Sequence, residues 1–339
     1  MVIAMLWASA STFAFVVEGI AYGILSDSNL TVAVIAKEGQ LYSGDIKIPS
    51  QVIYNHKVYT VISIEYATFM GCSDLSSVCI PNTIIEIRAH AFEDCSALTS
   101  ITIPNSVTSI LSSAFAGCTN LTSITIPNSV TSIEDWTFKG CNGLTSVTIS
   151  EAVTSIGSDA FKNCSSLTSV TIPASVTSLG IRAFDNCSSL TSVTIGSSVS
   201  SIYGQAFKGC SSLTSVTLPN SVSSIGVDAF TGCDRLEEIY SQIVEPFTCF
   251  PGFSDVNYKE AKLYVPKGSL AAYEKVNPWR NFLNIEEKDF SAVDGVTADT
   301  DVKTEVGKYN LQGIEVGEDY KGLVIIRYSD GSSCKTYYK

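Results

Sequence analysis

Residues 95–117 read CSALTSITIPNSVTSILSSAFAG, residues 118–140 CTNLTSITIPNSVTSIEDWTFKG, and residues 164–186 CSSLTSVTIPASVTSLGIRAFDN. Laid over one another, these stretches share one phase. Phe69, Phe92, Phe115, Phe138, Phe161, Phe184, Phe207 and Phe230 are spaced 23 residues apart without a slip. Cys72, Cys95, Cys118, Cys141, Cys164, Cys187, Cys210 and Cys233 follow them at a constant offset of three. A fixed period of this length marks a solenoid, in which each repeat is one coil that buries its apolar side only by stacking on the next.

Within a coil, Leu98, Ile101 and Ile103 are the inward residues of a short strand, and Pro104-Asn105-Ser106 ends it with turn chemistry. Val107 and Ile110 mark a second extended segment on the opposite side, and residues 114–117 are expected to turn back as a helical or 3-10 turn. The inward set recurs as Leu121, Ile124, Ile126, Val130 and Ile133. At about 4.8 Å per strand, eight coils make a rod roughly 40 Å long.

Alternation on the strand points Ser100 and Thr102 outward, and likewise Ser123 and Thr125, Ser146 and Thr148, Ser169 and Thr171, Ser192 and Thr194, and Ser215 and Thr217. These form two columns of hydroxyls without charge or aromatic rings, broken at the ends by Ser77 and Cys79 and by Glu238 and Tyr240. Threonine suits a strand for structural reasons alone. The functional reading is a broad, weakly polar face for an extended partner, since a small-molecule pocket needs differentiated convergent groups. Charge collects instead on the turn around each phenylalanine, at Arg88, Glu134, Asp135, Lys139, Asp159, Lys162, Arg182, Asp185 and Lys208. Such residues are commonly just a solvated face; Trp136 among them is the candidate interface anchor.

Eleven cysteines would ordinarily suggest disulfides. Cysteines at one position of successive coils lie about 5 Å apart with parallel Cβ vectors and two equivalent neighbours each, which suits neither a bridge nor a tetrahedral metal site. They are expected as a buried row of free thiols. The net charge of −12 over 339 residues disfavours nucleic acid and anionic membranes. Residues 1–12 read as the remnant of an export signal, with Ala8-Ser9-Ala10 as a small-residue cleavage pattern, and no later stretch is long and apolar enough to span a membrane. No histidine pair, nucleophile elbow, phosphate loop or acidic calcium loop occurs, so no catalytic residue, cofactor or metal is assigned.

The pattern C-x-x-L-x-x-[IV]-x-[IL]-P-x-x-V-x-x-I followed by x-x-x-A-F-x-x-C resembles the BspA-like, Treponema-type leucine-rich repeat of bacterial surface proteins, over about residues 61–240. Ser150 and Gly196 replace its proline, and Thr68 and Thr137 its alanine. The resemblance implies a right-handed, mainly β leucine-rich-repeat coil with a β-rich N-terminal cap (residues 13–60, a hairpin turning at Asn55-His56) and a small α+β C-terminal cap (241–285). It also implies a secreted or cell-surface protein that binds extracellular protein or glycan, similar to adhesins. No binding residue transfers, because the shared positions build the coil. The alternative is a passive spacer of the cell envelope. Residues 286–305 read as an acidic linker, and 306–339 as a small β module that resembles C-terminal sorting segments of Bacteroidetes-type secreted proteins.

Overall fold

The computed structural model describes residues 14–290 with their side chains and, beyond them, the backbone of three strands. It divides into two units, residues 1–288 and 289–339. In the second, Glu305–Tyr309, Gly322–Tyr328 and Ser333–Tyr338 form an antiparallel sheet in that order. Residues 1–12, read as an export-signal remnant, and most of residues 286–305, read as a linker, lie outside the described residues.

In the first unit the coils contribute two short strands each, joined at opposite edges by turns, except that the coil from Cys95 has only the second, Ser109–Ile110. The coil's outer strand pairs in parallel with no register shift, Ser123 with Ser146, Ile124 with Val147, Thr125 with Thr148, and again Ser169 with Ser192 through Thr171 with Thr194. The opposite strand is shorter: Ser132–Ile133, Ser155–Ile156, Ser178–Leu179, Ser201–Ile202 and Ser224–Ile225 form one parallel ladder. Zero register shift follows from the strict period: a slip of one residue would turn an inward isoleucine outward.

The turn after the outer strand closes with a bond from the valine N–H to the carbonyl three residues back, Val107 to Pro104 and Val130 to Pro127. Where serine or glycine replaces proline the bond persists, Val153 to Ser150 and Val199 to Gly196, so this turn rests on a backbone bond rather than on the ring. Of the helical or 3-10 turn expected around the phenylalanine, the structure holds the 3-10 bonding pattern, in every second amide only. Ala114, Ala116 and Cys118 donate to carbonyls three residues back, as in a 3-10 turn, but Ser113, Phe115 and Gly117 donate to Asp135, Thr137 and Lys139 of the next coil. Alternate amides thus belong to the neighbouring coil, and a helix cannot propagate. This geometry places two residues per coil in the left-handed region: one before each cysteine, such as Gly117 and Asn163, and one two before each phenylalanine, such as Ser113 and Asp159.

The interior is a set of continuous rows. Consecutive phenylalanine rings from Phe69 to Phe253 stack at 5.0–5.6 Å with planes within 13° of parallel. Beside them each cysteine is buried, and from Cys95 onward its Sγ–H donates to a phenylalanine carbonyl of the preceding coil, Cys118 to Phe92 at 3.1 Å and Cys187 to Phe161 at 3.2 Å, whereas Cys72 Sγ accepts from the Tyr42 N–H. Neighbouring thiols are free, not bridged.

Both ends of the aromatic row are closed. At the N-terminal end Tyr42 lies 4.8 Å from Phe69, its hydroxyl donating to Ile35 O and accepting from Ala21 N–H. The strand Thr31–Ile35 pairs in parallel with Lys57–Ile64 and so extends the opposite ladder, while Gly44–Lys47 pairs with Leu75–Cys79 and extends the outer one. Gln51–Tyr54 and Lys57–Ile64 form the hairpin, with Asn55 and His56 both at positive φ. At the other end Phe253 meets Phe282 edge-on at 5.4 Å, which stops the stacking. Ser254 caps a helix, Asp255–Glu260, that the sequence reading did not anticipate. Strands Lys262–Pro266 and Asn284–Lys288 then continue the outer sheet, so the sheet runs past residue 286, where the linker was expected to begin.

Candidate functional site

The outer face presents the twelve hydroxyls where alternation puts them, all but Ser100 and Thr102 on regular strands. Ser100, Thr102, Ser123, Thr125, Ser146, Thr148, Ser169, Thr171 and Ser192 are exposed, and Thr194, Ser215 and Thr217 half-buried. What the structure adds is a division of labour among hydroxyl columns. One column back, Thr122, Thr145, Thr168 and Thr191 donate to the carbonyls of Thr99, Thr122, Thr145 and Thr168. On the opposite ladder Thr154, Thr177, Ser200 and Ser223 do the same to the coil before. Those hydroxyls staple adjacent coils. Among the described residues none of the twelve outward hydroxyls has a hydrogen-bond partner, which leaves their donors and acceptors to solvent or a partner.

The face ends at the C-terminal side in a different chemistry. Tyr240 and Tyr264 stack at 4.9 Å, Lys288 Nζ lies 4.5 Å from the Tyr240 ring centre, and the Tyr240 hydroxyl donates to Glu238 at 2.6 Å. Burial and that neighbouring carboxylate push the Tyr240 phenol up to about 12, leaving it a neutral donor. Lys262 and Glu286 pair alongside. Every charge here has a partner, which makes this cluster a self-contained end to the hydroxyl face.

Trp136 is on neither strand. It sits on the phenylalanine-turn edge, 43% exposed and at φ 57°. Charges surround it on the same edge: Lys162 bridges Asp159 and Asp185 at 3.4 and 3.0 Å, Asp135 accepts the Ser158 N–H at 2.6 Å, and Arg182 Nε donates to Gln205 at 2.6 Å. The sequence offered no sign that these positions have left-handed backbone. Before the cysteines the same conformation was legible, because glycine, asparagine or aspartate fills that column throughout.

The buried thiols are chemically quiet. Burial pushes Cys141 and Cys187 up to about 12 and Cys118 and Cys164 well above the usual thiol range, so they carry little nucleophilic thiolate. Among the described residues no cluster of three His, Cys, Asp or Glu is placed to hold a metal ion, and no helix is long and apolar enough to cross a membrane. His56 lies in the cap hairpin, whereas His90 faces Glu93 at 2.6 Å on the turn edge.

A family model described as the BspA type leucine rich repeat region matches residues 46–168 and 137–245, six copies in all. Among solved structures, a leucine rich cell surface protein from Faecalibacterium prausnitzii is 25% identical, with 84% of this chain and 97% of that one covered at a TM-score of 0.49. A leucine-rich repeat protein from Bacteroides ovatus is 24% identical, with 81% and 100% covered at 0.32. The leucine rich repeat protein of T. pallidum is 23% identical, with 63% and 86% covered at 0.38. No curated protein matches the chain significantly.

Proposed function

Since the chain belongs to the BspA-type leucine-rich repeat family, we propose that it is a non-enzymatic binding protein, secreted or held at the outer face of a bacterial envelope. In this reading it adheres to host or microbial proteins or glycans through its solenoid. The observation that carries the reading is the contrast between hydroxyl columns. Fold stability accounts for the hydroxyls that staple coils, but it does not require hydroxyls at Ser123, Thr125, Ser146 or Thr148, which bond to none of the described residues. A parallel array of unspent donors and acceptors, repeated every ~4.8 Å, offers many weak contacts to an extended ligand.

The test is retention of matrix proteins, mucins and arrayed glycans by the full chain, together with protease shaving of intact cells. Binding of at least one class, and surface digestion of the protein, are expected; no retention and full protection from protease would reject it. A second reading is favoured by one observation, the near identity of successive coils: the rod is a passive spacer. Replacing Trp136 and the outward hydroxyls without loss of adhesion would favour it.

A further inference from the structure

We infer that the phenylalanine-turn edge between Trp136 and Lys208 is a docking ridge for a protein partner that presents acidic and apolar side chains. The inference rests on the binding reading above and assigns it a second surface.

Three independent features meet on this edge, which runs from four residues before each phenylalanine to one after it. The first is conformational. Both left-handed columns impose the same steric demand, that Cβ approach the carbonyl. The column before the cysteines yields to it and holds only glycine, asparagine or aspartate, as at Asp94, Gly117, Gly140, Asn163, Asn186 and Gly209. The other column is mixed: Asp159 and Asp228 suit it, but Trp136, Arg182 and Gln205 adopt φ 57°, 56° and 61°. Large side chains held at an unfavourable backbone position mark a site retained for something other than folding.

The second feature is apolar exposure. Between residues 66 and 230, six of the seven large exposed hydrophobic residues lie on this edge: Tyr66, Met70, Trp136, Ile181, Tyr203 and Val227, each between 43% and 52% exposed. Aliphatic groups among the rings favour a protein over a glycan, and Trp136, Arg182 and Tyr203 are of the three residue types that dominate protein interfaces. They span three coil steps, roughly 15 Å.

The third is charge. Every lysine and arginine from residue 66 to 230 is on this edge, in a chain of net charge −12. From Glu134 to Lys208 the acids are engaged within the edge: Glu134 accepts the Ser132 hydroxyl, Asp135 a backbone amide, and Asp159 and Asp185 hold Lys162. Lys139, Arg182 and Lys208 have no carboxylate partner among the described residues. Four basic and four acidic side chains thus share the edge, and the three bases without an ion pair, Lys139, Arg182 and Lys208, are the groups open to a partner's carboxylates.

The test immobilises the full chain and pans a phage-displayed random peptide library, with sulfated and neutral glycans as parallel soluble probes. Enriched peptides are expected to combine Asp or Glu with aromatic or aliphatic residues and to bind less tightly as salt rises. Their affinity is expected to fall about tenfold or more for Trp136→Asn and for Arg182→Glu with Lys208→Glu. Quadruple replacement of Ser123, Thr125, Ser146 and Thr148 by alanine is expected to leave it unchanged. Asparagine tolerates the left-handed region, so Trp136→Asn should keep the thermal midpoint of the parent. Enrichment of peptides without acidic excess, insensitivity to Trp136→Asn, or retention of sulfated glycans alone would overturn the ridge. Loss on the hydroxyl-face variant alone would overturn the ridge and leave the binding reading standing. Retention of no probe by any variant would remove both.

Discussion

The inside of the phenylalanine turn and its outside are made by the same residues of each coil, yet they follow opposite rules. Inside, Phe115, Phe138, Phe161 and Phe184 are identical, stacked and fully buried. Outside, one or two residues away, Ser113, Trp136, Asp159 and Arg182 share a backbone conformation and nothing else. The interior is invariant because each ring must fit both its neighbours, and one mismatched volume disturbs three coils. The exterior varies because no neighbour constrains it beyond its φ angle. Where that angle is unfavourable and the side chain is still large, the residue was not chosen by the coil.

The comparison can be broken first at its strongest point. Phe161→Ala removes a ring stacked at 5.3 Å on Phe138 and 5.2 Å on Phe184, and is expected to cost about 3–5 kcal/mol. Denaturant unfolding measures it; a loss under about 1 kcal/mol would mean that the row does not carry the core.

The thiol row gives the next effect. Burial raises Cys141 and Cys187 from the unfolded value of 9.0 to about 12. As pH rises past 9 the unfolded chain releases these protons while the folded chain keeps them. Their stabilising contribution is thus complete below 9 and is lost on the way to 12, at about 1.4 kcal/mol per thiol per pH unit. A melting temperature flat from pH 7 to 8.5 and falling steadily above about 9 is expected. Alkylation at pH 8 should label exposed Cys79 and spare the buried row until denaturation.

Gly140→Ala isolates the backbone demand, because its φ is +75° and the nearest atom to a new Cβ is 3.8 Å away. About 1–2 kcal/mol of destabilisation is expected. Trp136→Asn, at the companion column, sharpens the contrast in the opposite direction: no loss, and a gain of up to about 1 kcal/mol. A loss comparable to that of Gly140→Ala would show that Trp136 packs as part of the fold. Thr148→Ala stands last, expected within about 0.5 kcal/mol of the parent because its hydroxyl holds no other residue; Thr145→Ala, which cuts the bond to Thr122, should exceed it.

Much of this architecture was legible without coordinates. The repeat phase, the inward set, the free thiols, the hairpin at Asn55-His56 and the outward Ser and Thr columns can all be read from residue spacing. Spacing left the turn open between helical and 3-10, and what decides it is that its alternate amides are claimed by the next coil. The helix at Asp255–Glu260 escaped notice because only Ser254-Asp255 announces it, at a place where the period fades.

A strict period by itself dictates that like residues stack, since any other arrangement exposes one apolar side chain per coil at every position. That much belongs to the chain as a string: the rod, its aromatic and thiol rows, and the side on which each hydroxyl lies. Which hydroxyls are consumed and which left free, and which side chains stand on left-handed backbone, belongs to the stacked coils. A hydrogen bond to the carbonyl of the preceding coil, or a φ angle set by amides pledged to the following one, exists only once neighbouring turns have met.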